Sequence, residues 1–155
     1  MKLHSPAIPH GGRIPLKYVM KGASGENISP PLKWSEIPEG TKSLVLVCVD
    51  THPVAKNWIH WIIINIPPET LELAEGASPN GIKPPAMELI NSYGFKGYGG
   101  PQPPPGTGDH SYVFKLFALN VPEIALPSKP TYDQILKTIK PYRLAESEFV
   151  GYFGR

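Results

Sequence analysis

The sequence predicts a mainly β, turn-rich domain with few helices, and three observations lead there. Proline and glycine together number 35 (20 and 15) of 155 residues, roughly double their ordinary share. Hydrophobic residues make up 41% and aromatics 10%, with a formal net charge of only +2. Such a chain is too apolar and too weakly charged for intrinsic disorder. Its strongest apolar runs are short, rich in β-branched residues and closed by aspartate or proline, as buried strands are. At this length a single domain, residues 1–155, removes roughly 68–70% of its unfolded surface from water.

Residues 1–33 are polar and punctuated by Gly11-Gly12, Gly22, Gly25 and Pro30-Pro31, which fits short strands and turns. Leu44 to Val49 is continuously apolar and ends at Asp50, so it reads as a strand buried on both faces. Trp58 to Ile66 reads as a second buried strand, stopped by Pro67-Pro68. On strict alternation His60 would share a face with Ile62, Ile64 and Ile66. Residues 69–92 read as loop. Tyr93 to Gly108 holds a Gly/Pro tract, and Ser111 to Leu119 is a third strong strand. Thr131 to Lys140 has helical spacing, with Ile135 and Ile139 four apart and Pro141 as a stop. Tyr142 to Val150 reads as a second short helix. Neither a repeat nor a low-hydrophobicity linker divides the chain.

The bulk numbers exclude several classes. A net charge of +2 without a Lys/Arg run does not coat a phosphate backbone, so no nucleic-acid partner is expected. Lys137, Lys140 and Arg143 read as one solvated helix face. No run reaches the roughly 18 apolar residues of a membrane-spanning helix, and the proline-cut N-terminus lacks a signal-peptide core. A lone cysteine, Cys48, makes no internal disulfide, so a reducing cytoplasm is the expected setting. It lies inside an apolar strand and reads as an inert buried thiol.

The polar residues of interest stand at strand ends. Asp50 closes the first strong strand, His60 lies in the second, and His110 and Tyr112 open the third on one shared face. Burying these groups is costly unless they are hydrogen-bonded. Each alone reads as a satisfied core residue. Together, beside a stiff Gly/Pro tract, they suggest a cavity lined with donors, where imidazole, phenol and backbone N–H groups bind an oxyanion without much net charge. Zinc ligation by Asp50, His52, His60 and His110 is the competing reading, but their separations match no metal motif. No metal and no cofactor is expected. No nucleophile elbow, zinc helix, P-loop or dinucleotide fingerprint occurs.

Four segments resemble the phosphatidylethanolamine-binding protein family, which includes the Raf kinase inhibitor protein, and most closely its prokaryotic branch. They are Asn27-Ile28-Ser29-Pro30-Pro31-Leu32-Lys33-Trp34; Asp50-Thr51-His52-Pro53 with His60-Trp61 through Asn65-Ile66-Pro67; Tyr98-Gly99-Gly100-Pro101-Gln102-Pro103-Pro104-Pro105 through His110-Ser111-Tyr112-Val113-Phe114; and the ending Val150 to Arg155. The resemblance covers roughly residues 20–155. Strand pattern and resemblance together imply a large central antiparallel sheet packed on a smaller sheet, with short C-terminal helices. The resemblance implies an anion pocket of Asp50, His60, His110 and Tyr112, with Pro101, Pro103 and Pro104 as one wall and the Gln102 backbone N–H as a donor. His52 falls where the family carries a second aspartate, so an imidazole at the mouth is expected to favour anions as pH falls.

The expected function is non-catalytic binding of a small anion or phosphorylated ligand at Asp50, His52, His60, Pro101, Gln102, Pro103, His110 and Tyr112. The alternative is a regulatory inhibitor docking on a kinase or protease, and the resemblance also implies a possible homodimer. A hydrolase using His60 and Asp50 is the third reading, weakened because no Ser, Thr or Cys nucleophile accompanies that pair. Eight of the 20 prolines fall at three motif positions. They read as stiff walls, with at least one cis X-Pro bond expected within 50–55 or 100–105.

Overall fold

The three apolar runs become the three central strands of one sheet. In the computed structural model, which describes all residues 1–155, β4 (Ser43–Asp50) lies between β5 (Trp58–Ile66) and β8 (His110–Leu119), antiparallel to both. Every residue of β4 is buried, as its unbroken apolar run requires. The sheet continues through β9 (Arg143–Phe153), antiparallel to β8, to β2 (Gly12–Arg13), which pairs with β9 in parallel. Its other edge is the short β7 (Met87–Glu88). A second sheet joins β1 (Lys2–His4), β3 (Leu32–Ser35) and β6 (Glu72–Leu73).

The large sheet buries both faces. Between the sheets, Leu3, Leu32 and Trp34 pack with Leu46, Trp61, Phe114 and Phe149. On the far face, Val45, Val47, Ile62 and Phe117 pack against Ile135 and Ile139 of α1 (Tyr132–Ile139). Each such side chain contributes about 1.5–3 kcal/mol by leaving water. The helix starts where Thr131 and Gln134 form a reciprocal capping box, so the Ile135/Ile139 spacing marks a real helix.

Three expectations are corrected. Tyr142 to Val150 is not a helix: from Arg143 it forms β9. Leu144-Ala145-Glu146 has good helix formers, but Phe149, Gly151 and Phe153 alternate buried positions, and pairing along all of β8 outweighs local propensity. The strict alternation expected of β5 also fails. Cys48 pairs with Trp61 and Val49 with Ile59, leaving His60 as an extra residue in a β-bulge. Ile62 and Ile64 therefore face the helix side, away from His60. The cis peptides, finally, are Ser78–Pro79 and Pro84–Pro85; bonds within 50–55 and 100–105 are trans. The proline tract is instead held from outside. Pro101 O accepts from the Met20 N–H (3.0 Å), and Pro103 O accepts from Arg155 Nε (2.7 Å).

Candidate functional site

Three strands end at one place. Asp50 pairs across the ladder with Tyr112 on one side and Trp58 on the other, so the three form a row at the sheet's end. The bulge then turns His60 toward that row, which is how bulges commonly aim a side chain at a site. The result is a cavity of ≈ 440 Å³ whose lining includes Asp50, His60, His110, Tyr112, Gln102 and Pro103.

Neighbouring segments fix each ring. His60 is 3% exposed, and its Nδ1 lies 2.7 Å from the Gly99 carbonyl. A carbonyl only accepts, so Nδ1 carries the hydrogen. Burial holds the His60 imidazole below its ordinary range, which leaves Nε2 as a bare acceptor with no protein partner. The Gly99–Gly100 backbone is pinned in turn. Gly99 N–H donates to His60 O (2.9 Å), Gly100 N–H donates to Asn27 Oδ1 (2.7 Å), and the Gly100 carbonyl accepts from Tyr93 (2.7 Å). A Cβ at Gly100 would collide with the Tyr18 carbonyl, so only glycine permits this approach. The Asn27 motif thus supports the site from behind.

Asp50 and His110 form the buried pair of the site. His110 Nδ1 lies 2.6 Å from Asp50 Oδ2, and Asp50 Oδ1 accepts from the His52 N–H (2.9 Å). On its other side, His110 Nε2 lies 2.8 Å from Thr107 Oγ1, whose own hydrogen goes to the Pro104 carbonyl (2.8 Å). Thr107 Oγ1 thus stands between the His110 ring and the Pro104 carbonyl. Thr107–His110–Asp50 has the order of a catalytic triad, and both His110 ring nitrogens are engaged within it.

Tyr112 supplies the most telling atom. Its hydroxyl is buried with no hydrogen-bond partner, a costly state for a polar group. Burial pushes the phenol up, far from ionisation, so it stays a donor. The Gln102 backbone N–H likewise makes no hydrogen bond within the protein. Two donors and one bare acceptor therefore serve one cavity that no lysine or arginine lines.

Two predicted residues stand elsewhere. The His52 ring does not line the cavity; it stacks behind His110 with centroids 3.9 Å apart. Its Nδ1 accepts from the Val54 N–H (3.1 Å) and its Nε2 meets the Thr107 carbonyl (3.0 Å). Both nitrogens are engaged, so it is a prop and not an imidazole at the mouth. Pro101 is buried behind the wall, which Gln102, Pro103 and Pro104 form. No group of three or more His, Cys, Asp or Glu side chains is arranged to hold a metal. Cys48 is buried, and burial pushes its thiol up.

Sequence reasoning missed Trp58, Tyr93, Val54 and Ala55 on the apolar side of the cavity, and Thr107 beneath His110. Trp58 was findable, because a short hairpin loop between Asp50 and Trp58 sets them side by side. Tyr93 carried no signal: its place depends on how residues 67–97 return over β5.

The chain matches the family description "Phosphatidylethanolamine-binding protein" over residues 4–154. It is 37% identical over 156 residues to a UPF0098 protein of Methanothermobacter thermautotrophicus, covering 100% of this chain and 99% of that one. A Mycobacterium tuberculosis relative with a lipoprotein name, LppC, is 37% identical over 153 residues, 99% of this chain and 72% of its own. Among solved structures, Escherichia coli YbcL, called a new member of the mammalian PEBP family, superposes with a TM-score of 0.91. Its identity is 29%, with 99% of this chain and 98% of that one covered. No helix of this chain is long and apolar enough to cross a membrane.

Proposed function

The chain belongs to the phosphatidylethanolamine-binding protein family, and we propose that it binds a small phosphate-bearing anion, without covalent chemistry, in the cavity between His60, Tyr112 and the Gln102 backbone. The observation that carries this reading is the Tyr112 hydroxyl, a buried donor without a partner that an anion's oxygen would satisfy. Both Asp50 carboxyl oxygens are held within the protein, by His110 and by the His52 N–H, and strong hydrogen bonds to anions do not require a full positive charge. The non-catalytic part draws on His110, whose two ring nitrogens are both engaged within the protein.

Titration calorimetry with inorganic phosphate and O-phosphorylethanolamine tests this. Saturable binding of one ligand per chain, weakened in Tyr112→Phe, is expected. Absence of any heat at millimolar ligand would overturn the reading.

A second reading, docking on a protein such as a kinase or protease, draws on the apolar rim. Val54 is 51% exposed and Trp58 38%, both at the cavity mouth. Retention of a partner by His110→Ala in a pull-down would favour surface docking over pocket recognition.

A further inference from the structure

The polar groups of the cavity also define which protonation state of a phosphate they accept, an inference that rests on the anion reading above. An ordinary phosphate site surrounds a dianion with donors and cations. This one differs in three respects. No lysine or arginine lines it. The His60 tautomer is set by the Gly99 carbonyl at 2.7 Å, so its cavity-side nitrogen Nε2 presents a lone pair. His110 engages Asp50 with one ring nitrogen and Thr107 with the other, leaving neither for a ligand. A phosphate dianion, which has only acceptor oxygens, would set lone pair against lone pair at His60. A phosphate that keeps one hydrogen would give it to Nε2 and accept from Tyr112 and the Gln102 N–H with its other oxygens. Every buried polar atom that lacks a partner then gains one.

The rest of the cavity bears on the substituent. Val54, Ala55, Trp58 and Tyr93 line its apolar side. Tyr93 stands edge-on to both Trp58 and His60, with centroids 5.5 and 5.6 Å away. The cavity, at ≈ 440 Å³, exceeds what a phosphate alone fills, and these walls suit an apolar or aromatic group.

We propose that the pocket selects the hydrogen-bearing monoanion of a phosphomonoester with an apolar or aromatic substituent, the ligand's P–O–H donating to His60 Nε2. Phosphodiesters, including the head group of an intact phospholipid, have no O–H to give and are disfavoured. The titratable groups around His60 are Asp50 and Cys48 from β4, His110 and Tyr112 from β8, and Tyr93 from the segment beside the cavity; Arg155 acts from the chain end. Burial lowers the His60 pKa and raises those of both tyrosines and Cys48, so the lone pair on His60 is favoured and the proton the test follows is the ligand's. Its second ionisation falls near about pH 6.

The test compares phenyl phosphate with phenyl sulfate, which has the same shape and charge at acid pH but no O–H, and with phenyl methyl phosphate, a diester. Affinities are measured on the whole chain between about pH 5 and 8, spanning the phosphate's second ionisation near pH 6. Phenyl phosphate should bind at least about tenfold more tightly than either analogue at the acid end. It should weaken at least about tenfold toward the alkaline end as the monoanion disappears, while phenyl sulfate stays weak and flat. His60→Phe should erase the preference of phosphate over sulfate. If sulfate and phosphate strengthened together at acid pH, the proton would belong to the protein and the proposal would be overturned. Tighter phosphate binding at alkaline pH would also overturn it, while leaving the anion reading intact. No binding of any probe at millimolar concentration would remove both.

Discussion

The strand β5 contains two bulges, and they do opposite things. One lies at His60, between the pairs Cys48–Trp61 and Val49–Ile59; the other lies at Asn65, between Leu44–Ile66 and Leu46–Ile63. Each inserts one residue and shifts the alternation of the side chains beyond it. Asn65 adopts a left-handed φ of 58°, which asparagine tolerates, and its Oδ1 accepts from the Ile124 N–H at 2.9 Å. That bulge is closed: it anchors the connection after β8 and offers nothing outward. His60 uses one nitrogen on Gly99 and leaves the other bare beside a cavity. The same backbone irregularity is structural where the side chain's acceptor is taken by backbone and a candidate site where an acceptor is left beside a cavity.

Breaking the closed bulge should have the largest effect on stability and none on binding. Asn65→Ala leaves the buried Ile124 N–H unpaired and places a Cβ-branchless but non-glycine residue at positive φ, for a combined loss of about 2–4 kcal/mol. Urea denaturation should show this, with affinity for O-phosphorylethanolamine unchanged. Asn65→Gly should recover the backbone part of the loss. The converse experiment is His60→Ala. It should weaken that affinity by about 30-fold, equivalent to removing a hydrogen bond of about 2 kcal/mol to a charged partner. Calorimetry on the folded variant checks it.

Tyr112→Phe sharpens the contrast further, because stability and affinity should move differently. The substitution removes a buried hydroxyl that has no partner. The unliganded protein should therefore be unchanged or more stable by up to about 1 kcal/mol, while phosphate binding weakens about tenfold. A hydroxyl that served only the fold would lose stability instead, so thermal and binding measurements on one variant decide between the two roles.

The smallest expected effect is on pH dependence. Burial lowers the His60 pKa in the folded chain, so as pH falls through the unfolded value near about 6.5 the unfolded chain takes up a proton that the native chain does not. Stability from this residue is present above that pH and declines below it, by at most about 1.4 kcal/mol per pH unit. Melting curves between about pH 7 and 5 should show a shallower decline for His60→Gln than for the unmutated chain, the difference being the quantity attributable to His60. An equal decline would remove the claim that His60 is buried neutral.

Much of the arrangement was legible in the sequence because it follows from local chemistry. The all-apolar run before Asp50, the Pro67-Pro68 stop after Ile66 and the Ile135/Ile139 spacing mark β4, β5 and α1 directly. His110 and Tyr112 share a face because they stand two positions apart along a strand. What was not legible depends on pairing between distant segments. The bulge that detaches His60 from Ile62 and Ile64 exists only when β5 meets β4. Arg143 to Phe153 carries helix-compatible residues and becomes a strand because β8 offers a free edge. The expectation for His52 came from its place in a motif; its ring is drawn under His110 by Thr107 and Val54, contacts that no spacing encodes. Of the prolines of 101–105, Pro103 and Pro104 line the cavity and Pro101 lies behind them. Their stiffness comes from Met20 and Arg155 rather than from cis bonds.

The most direct test of the central claim is a long-range nitrogen–proton spectrum of the His60 and His110 rings, recorded with and without O-phosphorylethanolamine. The free protein should show His60 protonated at Nδ1 and bare at Nε2, and ligand at saturation should shift Nε2 while leaving Nδ1 on the Gly99 carbonyl. If His60 carried its hydrogen on Nε2 in the free protein, or if neither ring moved at saturation, the cavity beside the His60 bulge would not be the anion site.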